Sequence, residues 1–204
     1  MKAFPVFALL SAVLLAGCSR PGTPSQASPT FDEVLATRRS VRSYDASKSI
    51  SEAEVRELLT AVQDAPSWAN TQPTRYYVAL SAEKREALLG LIGANRQRVA
   101  EAPVLIVSAF ERGLSGFFNG EPTDATGDLW GAHDNGLSDS YLVLKARAMG
   151  FDTLIMGLRD ADGIRALFDI PASQTVMAVI ALGYRASEPQ RPDRKPLDGV
   201  VKIY

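Results

Sequence analysis

Apolar and polar positions follow helical spacing in some stretches of the chain and form short apolar runs in others. Two stretches open with the Ser/Thr-x-x-Glu pattern of a helix capping box, at 30–33 and at 51–54. After the second box, apolar residues recur at the spacing of one helix face: Val55, Leu58, Leu59 and Val62. The pattern predicts a short helix after Thr30 and a second helix over 51–64, which Pro66 stops.

The rest of the pattern mixes further helices with short strands. Val104 to Phe110 is an uninterrupted apolar run, typical of a buried central strand. A long helix is predicted from Asp128 to Met149, because Gly150 provides a C-terminal stop. The remaining predicted elements are strands at 76–80, 153–156 and 176–182, and helices at 84–93 and 163–168. This mixed order predicts an α+β fold around a central, mainly antiparallel sheet.

The N-terminus has the pattern of an export signal. Lys2 is followed by an apolar stretch over 4–15, too short to span a bilayer, and then by Ala16, Gly17 and Cys18. The run LAGC resembles the bacterial lipobox, in which the cysteine is lipidated. We therefore expect residues 1–17 to be a lipoprotein signal peptide and Cys18, the only cysteine, to carry the anchor. The alternative is an uncleaved start or a buried free thiol at Cys18.

The boundaries of the folded domain follow from this leader. Residues 18–30 are rich in Ser, Pro, Thr and Gly, so they are predicted to be a flexible tether. Residues 31–204 are expected to form one domain of ordinary size. The expected location is the bacterial cell envelope, facing the periplasm or on the outer membrane if the cell is Gram-negative, because Ser19 follows the cysteine.

Composition excludes several classes of protein. Hydrophobic residues make up 46% and charged residues 22% of the 204 residues, which is normal for a globular domain. The formal net charge is −1, so there is no basic field for nucleic acid. A lone histidine, His133, cannot build a zinc site with one cysteine at the other end of the chain, and no metal is expected. The sequence also lacks the Gly-x-Ser-x-Gly, Gly-x-Gly-x-x-Gly and P-loop patterns.

Against this neutral background, two polar segments indicate a nucleotide-type cofactor. The first is a basic cluster able to hold a phosphate, because guanidinium groups match phosphate oxygens. Its members are Arg38, Arg39, Ser40 and Arg42. The second is a polar loop whose amides could bond a flat heterocycle: Pro66, Ser67, Asn70 and Gln72. The alternative for the arginines is that they complement the negative end of the preceding helix.

The runs RRSVRSYD and PSWANTQP resemble the FMN-dependent nitroreductase family. Three later stretches agree with it in order and spacing: NRQRVAEAPVLIVSAF, MGFDTLIMGL and IPASQTVMAVIALGYRA, followed by the basic end PDRKPLDGVVKIY. The resemblance covers about residues 31–204. It implies a three-layer sandwich built as an intertwined homodimer, with FMN sites at the dimer interface.

The resemblance also implies roles for individual residues. The Arg38–Arg42 segment would bind the FMN phosphate, ribityl chain and pyrimidine edge, and the loop at 66–73 would cover the flavin ring from the other subunit. The further cofactor contacts implied are Asn95, Arg98, Met156, Gly157, Arg194 and Lys195. A cation such as Arg98 near the ring would stabilise negative charge that develops on reduction.

The implied activity is an FMN-dependent oxidoreductase that reduces nitroaromatics, quinones or similar planar acceptors by ping-pong hydride transfer. No protein residue is expected to act as a catalytic acid or base. NAD(P)H is the implied electron donor, but it is scarce outside the cytoplasm, so an envelope reductant is the alternative donor. The alternative function is an envelope flavin-binding or flavin-processing protein without nicotinamide-driven activity.

Overall fold

The computed structural model describes residues 28–204, so the leader and most of the tether, including Cys18, lie outside the described residues. The helices are α1 (Phe31–Thr37), α2 (Glu52–Val62), α3 (Ala82–Leu89), α4 (Arg96–Val99), α5 (Leu129–Ala148) and α6 (Ala161–Phe168). The strands are β1 (Thr74–Ala79), β2 (Val104–Glu111), β3 (Phe117–Phe118), β4 (Glu121–Pro122), β5 (Asp152–Met156) and β6 (Gln174–Gly183). Short 3-10 helices lie at Trp68–Asn70, Gly93–Asn95 and Leu197–Gly199. Over 28–204, no helix is long and apolar enough to cross a membrane.

The main sheet has the order β1-β2-β6-β5, and all of its strand pairs are antiparallel. The predicted α+β fold with a mainly antiparallel sheet is therefore confirmed. A register shift between Ser108 and Ala109 interrupts the β2–β6 pairing. Strands β3 and β4 form a separate small hairpin before α5.

Helices cover both faces of the sheet and give three layers. Successive residues of a strand point to opposite faces. Leu105 and Val107 pack on the side of α3 and α6, whereas Val104 and Ile106 pack on the side of α2 and α5. Strand β2 is buried almost throughout because both of its faces are covered, which explains its continuous apolar run.

Both predicted capping boxes are present: Thr30 with Glu33 at α1, and Ser51 with Glu54 at α2. Helix α1 ends at Thr37, and Arg38 already has extended backbone angles. No basic residue lies in the last turn of α1, and Arg38 is the C-cap of this helix. The cluster lies on the extended chain that follows the helix.

Candidate active site

The basic segment is fixed along the free edge of β5. The Val41 N–H donates to the Thr153 carbonyl at 3.0 Å, and Ser40 forms a parallel bridge with Thr153. The Val41 side chain is buried in the core. Alternation along the extended chain then turns Ser40 and Arg42 away from that core, where both are exposed.

A polar cleft of about 270 Å³ opens over this segment. The residues lining it are Arg38, Arg39, Ser40, Arg42, Gln190, Pro192 and Arg194. The structure thus brings Arg194 from the C-terminal segment to the predicted phosphate cluster, as the sequence resemblance implied. Lys195 is exposed beside it but does not line the cleft. Gln190 was not predicted, because a single glutamine in a Pro-rich stretch gives no sequence signal.

Arg39 shows that positive charge is concentrated at this cleft. Partial burial lowers the pKa of the Arg39 guanidinium, and the charges of Arg191 and Arg38 lower this pKa further. Arg39 Nε is buried and has no hydrogen-bond partner within residues 28–204. A bound anion would offset this crowding of like charges.

A buried ion pair supports the segment from below. Arg185 Nε donates to Asp152 Oδ2 at 2.8 Å, and Arg185 Nη2 donates to the Thr37 carbonyl at 3.2 Å. The hydrogen bonds from Arg185 to Asp152 raise the pKa of Arg185. Because Thr37 precedes the basic cluster, this pair fixes where the cluster begins. Sequence reasoning missed it, since Asp152 begins β5, Arg185 lies two residues beyond the end of β6, and no motif links them.

The second group of predicted contacts lies where β5 ends. Met156 is buried, whereas a Cβ built on Gly157 would meet no atom within 4 Å, so open space adjoins this backbone. Arg98 Nη1 donates to Asn95 Oδ1 at 3.2 Å. The Leu158 side chain packs against Gly93, which places the Gly93–Asn95 turn next to the end of β5. Met156, Gly157, Asn95 and Arg98 are thus brought into one region.

The loop that follows α2 lies elsewhere on the protomer. It forms a 3-10 turn at Trp68–Asn70, and Ser67 and Gln72 line a cavity of about 280 Å³ against β1 and α5. None of its residues lines the arginine cleft. Within one chain, therefore, the two predicted halves of the site are separate, as expected if the loop serves the other subunit.

His133 lies near this loop rather than near the arginine cleft. Its Nδ1 is 3.2 Å from Asp134 Oδ1, and its ring makes an edge contact with Trp130. Asp134 is buried, and its second oxygen accepts a backbone hydrogen bond from the loop. In the described part of the chain, no group of three or more His, Cys, Asp or Glu residues is placed to hold a metal ion.

Comparison with known proteins identifies the family. The sequence profile described as "Nitroreductase family" matches residues 35–184, which is most of the chain. The chain is 28% identical over 201 residues to YdgI of Bacillus subtilis, which carries the name NAD(P)H nitroreductase; the match covers 84% of this chain and 96% of YdgI. It is 30% identical over 203 residues to a protein of Thermus thermophilus named NADH dehydrogenase, covering 85% and 96%. The chain belongs to the nitroreductase family.

The fold agrees with this membership. A protein from Exiguobacterium sibiricum, whose crystal structure contains FMN, superimposes with a TM-score of 0.80 at 24% identity, covering 88% of this chain and 99% of that one. The prediction of a nitroreductase-type sandwich is confirmed. At the level of the family, so is the prediction of an FMN-dependent oxidoreductase.

Proposed function

We propose that this protein binds FMN between two copies of the chain and reduces planar acceptors, such as nitroaromatics and quinones, by ping-pong hydride transfer. The observation that carries the proposal is the arrangement along β5. The arginine cleft lies beside Thr153, and the open backbone of Gly157 lies four residues further along the chain, just past the end of β5, about 13 Å away. A phosphate joined to a ring by a short polar chain can span such a distance.

The residues present fit the phosphate end of FMN. Arg38, Arg42 and Arg194 supply fixed donor forks, and Ser40 adds a hydroxyl. The buried Nε of Arg39, which has no partner in the described part of the chain, and the lowered pKa of its guanidinium are what a site built for an anion shows in the absence of that anion. Lys195, beside the cleft, adds positive charge to the surface through which the phosphate enters.

The residues at the end of β5 fit the ring. Glycine at 157 lets a flat group approach the backbone closely, because no side chain projects there. Asn95 is buried and holds Arg98 through its side-chain oxygen, so the cation is oriented before any ligand binds. When bound, FMN supplies a ring that takes a hydride from one reactant and passes it to another. Arg98 stabilises the negative charge that this transfer places on the ring edge.

A second copy of the chain completes the site. The loop with Pro66, Ser67, Asn70 and Gln72 does not reach the arginine cleft of its own chain. Between α1 and α5 lies an apolar groove of about 470 Å³. Large apolar side chains are also exposed on these helices and on the C-terminal segment: Phe31, Leu35, Tyr141, Val200 and Ile203. Surface of this kind favours burial against a partner, and we propose a homodimer.

Kinetics with both reactants test the reaction. Initial rates are measured with NADH or NADPH at several fixed concentrations while a nitroaromatic or a quinone is varied. Ping-pong transfer gives parallel lines in double-reciprocal plots, since donor and acceptor use the same pocket in turn. Intersecting lines contradict the mechanism. Turnover with dithionite-reduced protein but not with NAD(P)H indicates an envelope reductant as the donor.

The N-terminal sequence favours the second candidate function, an envelope flavin-binding or flavin-processing protein. We propose that residues 1–17 are a signal peptide, that 18–30 are a tether and that Cys18 carries the lipid anchor, because this order of residues matches an exported lipoprotein. NAD(P)H is scarce in that compartment. Cys18→Ser is expected to release the protein from the membrane fraction, and membrane association of the unacylated variant contradicts the anchor. FMN binding with no turnover by any reductant favours the second function.

A further inference from the structure

The loop that carries Asn70 and Gln72 has an unfavourable backbone. Ala69, Asn70 and Gln72 have φ values of 45°, 58° and 49°. Residues other than glycine rarely adopt this left-handed region, because their Cβ atom comes too close to the following carbonyl oxygen. Asparagine tolerates this region, because its short polar side chain can form local hydrogen bonds, but alanine and glutamine have no such compensation for its energetic cost. The conformation therefore has to be held by contacts from outside the turn.

This backbone places two amides side by side. Gln72 Nε2 donates to Asn70 Oδ1 at 3.2 Å. Within residues 28–204, the Asn70 side-chain NH2 group and the Gln72 side-chain oxygen Oε1 make no further hydrogen bond, whereas the Gln72 main-chain carbonyl accepts from Arg75. A donor and an acceptor thus face outward together, which is the pattern that complements the edge of a pyrimidine-type ring.

Helix α5 supplies the contact that holds the turn. Trp68 begins the 3-10 turn, and its N–H has no partner in that turn. The Ser67 hydroxyl, which could cap the turn, instead accepts from the Gln72 N–H at 3.0 Å. Asp134 Oδ2 accepts from the Trp68 N–H at 2.9 Å, although the two residues lie 66 positions apart.

The Asp134 carboxylate is itself held firmly. Its side chain is only 2% exposed, and His133 Nδ1 lies 3.2 Å from Oδ1. Two hydroxyl contacts flank it: Thr71 with Ser115 at 2.6 Å, and Thr74 with Ser138 at 3.0 Å. Of these three contacts, only the one from Asp134 reaches the backbone of the turn, and only it carries charge, which strengthens the hydrogen bond.

We infer that Asp134 is a positioning residue, which caps the Trp68–Asn70 turn from α5 and so holds Asn70 and Gln72 in the arrangement that binds the flavin ring. This role rests on the proposed function of the loop. Asp134 does not touch the ligand. It acts by keeping the strained turn formed before the ligand arrives, which lowers the ordering cost of binding.

Three variants separate this role from general stability. Asp134→Ala removes the acceptor, whereas Asp134→Asn keeps a side-chain oxygen at the same place. Asp128→Ala is the matched control. Asp128 lies at the start of α5 and also accepts a backbone hydrogen bond, from the Gly113 N–H at 2.7 Å, but it does not contact the loop. The readouts are FMN affinity from flavin fluorescence, and amide hydrogen exchange of the peptide at 65–73 with and without FMN.

The expected results are specific to the loop. Asp134→Ala weakens FMN binding by about tenfold, as expected for one charge-assisted hydrogen bond, and speeds exchange in the peptide at 65–73 of the apoprotein. Asp134→Asn stays within about threefold of the parent, because a neutral acceptor replaces a charged one. Asp128→Ala changes neither readout. If Asp134→Ala does not fold, Asp134→Ser takes its place. It removes the same contact, because the serine hydroxyl is too short to reach the Trp68 N–H, but it keeps a polar side chain at the buried position.

Two outcomes overturn the inference. One is a folded Asp134→Ala protein with unchanged FMN affinity and unchanged exchange at 65–73. The other is uniformly faster exchange over the whole domain, which indicates a purely structural role. If the parent protein binds no FMN, the proposed function fails, but hydrogen exchange in the apoprotein still tests whether Asp134 holds the loop.

Discussion

Removing two guanidinium groups of the arginine cleft tests the cofactor site most sharply by mutation. Arg38 and Arg42 both line the cleft, and within residues 28–204 Arg42 makes only one hydrogen bond, to the Ser40 carbonyl at 3.2 Å. One charge-assisted hydrogen bond to phosphate contributes about 1.5–3 kcal/mol. Loss of both in Arg38→Ala/Arg42→Ala therefore costs about 3–6 kcal/mol of FMN binding, a weakening of about 10² to 10⁴-fold.

The same double variant should leave the fold intact. Arg42 is exposed and Arg38 is half-buried, so the change in unfolding free energy is expected to stay below about 1 kcal/mol. The control is Lys48→Ala/Arg56→Ala, which removes the same charge from two exposed ion pairs that do not line the cleft. FMN affinity and thermal unfolding of the apoprotein are measured for both. Parent-like FMN affinity in Arg38→Ala/Arg42→Ala, or equal weakening in the control, refutes the phosphate site.

Two further predictions concern buried carboxylates. Burial raises the pKa of Asp139, although Ser108 and Tyr76 donate hydrogen bonds to it. Since the folded protein then binds this proton more tightly than the unfolded chain, stability falls as pH rises from the ordinary aspartate pKa through the raised one. Asp139→Asn should therefore gain stability relative to the parent as pH rises above the ordinary aspartate pKa of about 3.9, and a pH-independent difference in melting temperature contradicts this. Asp152→Ala leaves Arg185 without its main partner. The free energy of unfolding should fall by about 3–5 kcal/mol, or on the order of 10 °C in melting temperature. A fall below about 2 °C in calorimetry contradicts the assignment of this ion pair.

Local patterns in the sequence predicted much of the fold. The capping boxes place the starts of α1 and α2, and the continuous apolar run of β2 follows from burial on both faces. Element ends differ by a few residues. The helix expected to reach Gly93 ends at Leu89, because the chain turns into the Gly93–Asn95 segment, where Gly93 has a positive φ of 54°.

Long-range contacts could not be predicted in this way. The arginine cluster and the amide loop are visible as residue types in short runs. The groups that support them are not: Arg185 contacts Asp152 from the segment that follows β6, and Asp134 contacts Trp68 across 66 positions. Such pairs depend on how β5, β6 and α5 pack, which no local spacing records. The C-terminal Arg194 was predicted only through the family resemblance, since its path to the cleft is set by the fold.

The most direct test of the account is the visible absorption spectrum of the purified domain from Thr30 onward, followed by identification of any chromophore released by heat. The account predicts a yellow protein that releases FMN in a ratio close to one per chain, because two equivalent sites form in each proposed dimer. A colourless protein that also fails to take up added FMN contradicts the cofactor site, despite its membership of the nitroreductase family.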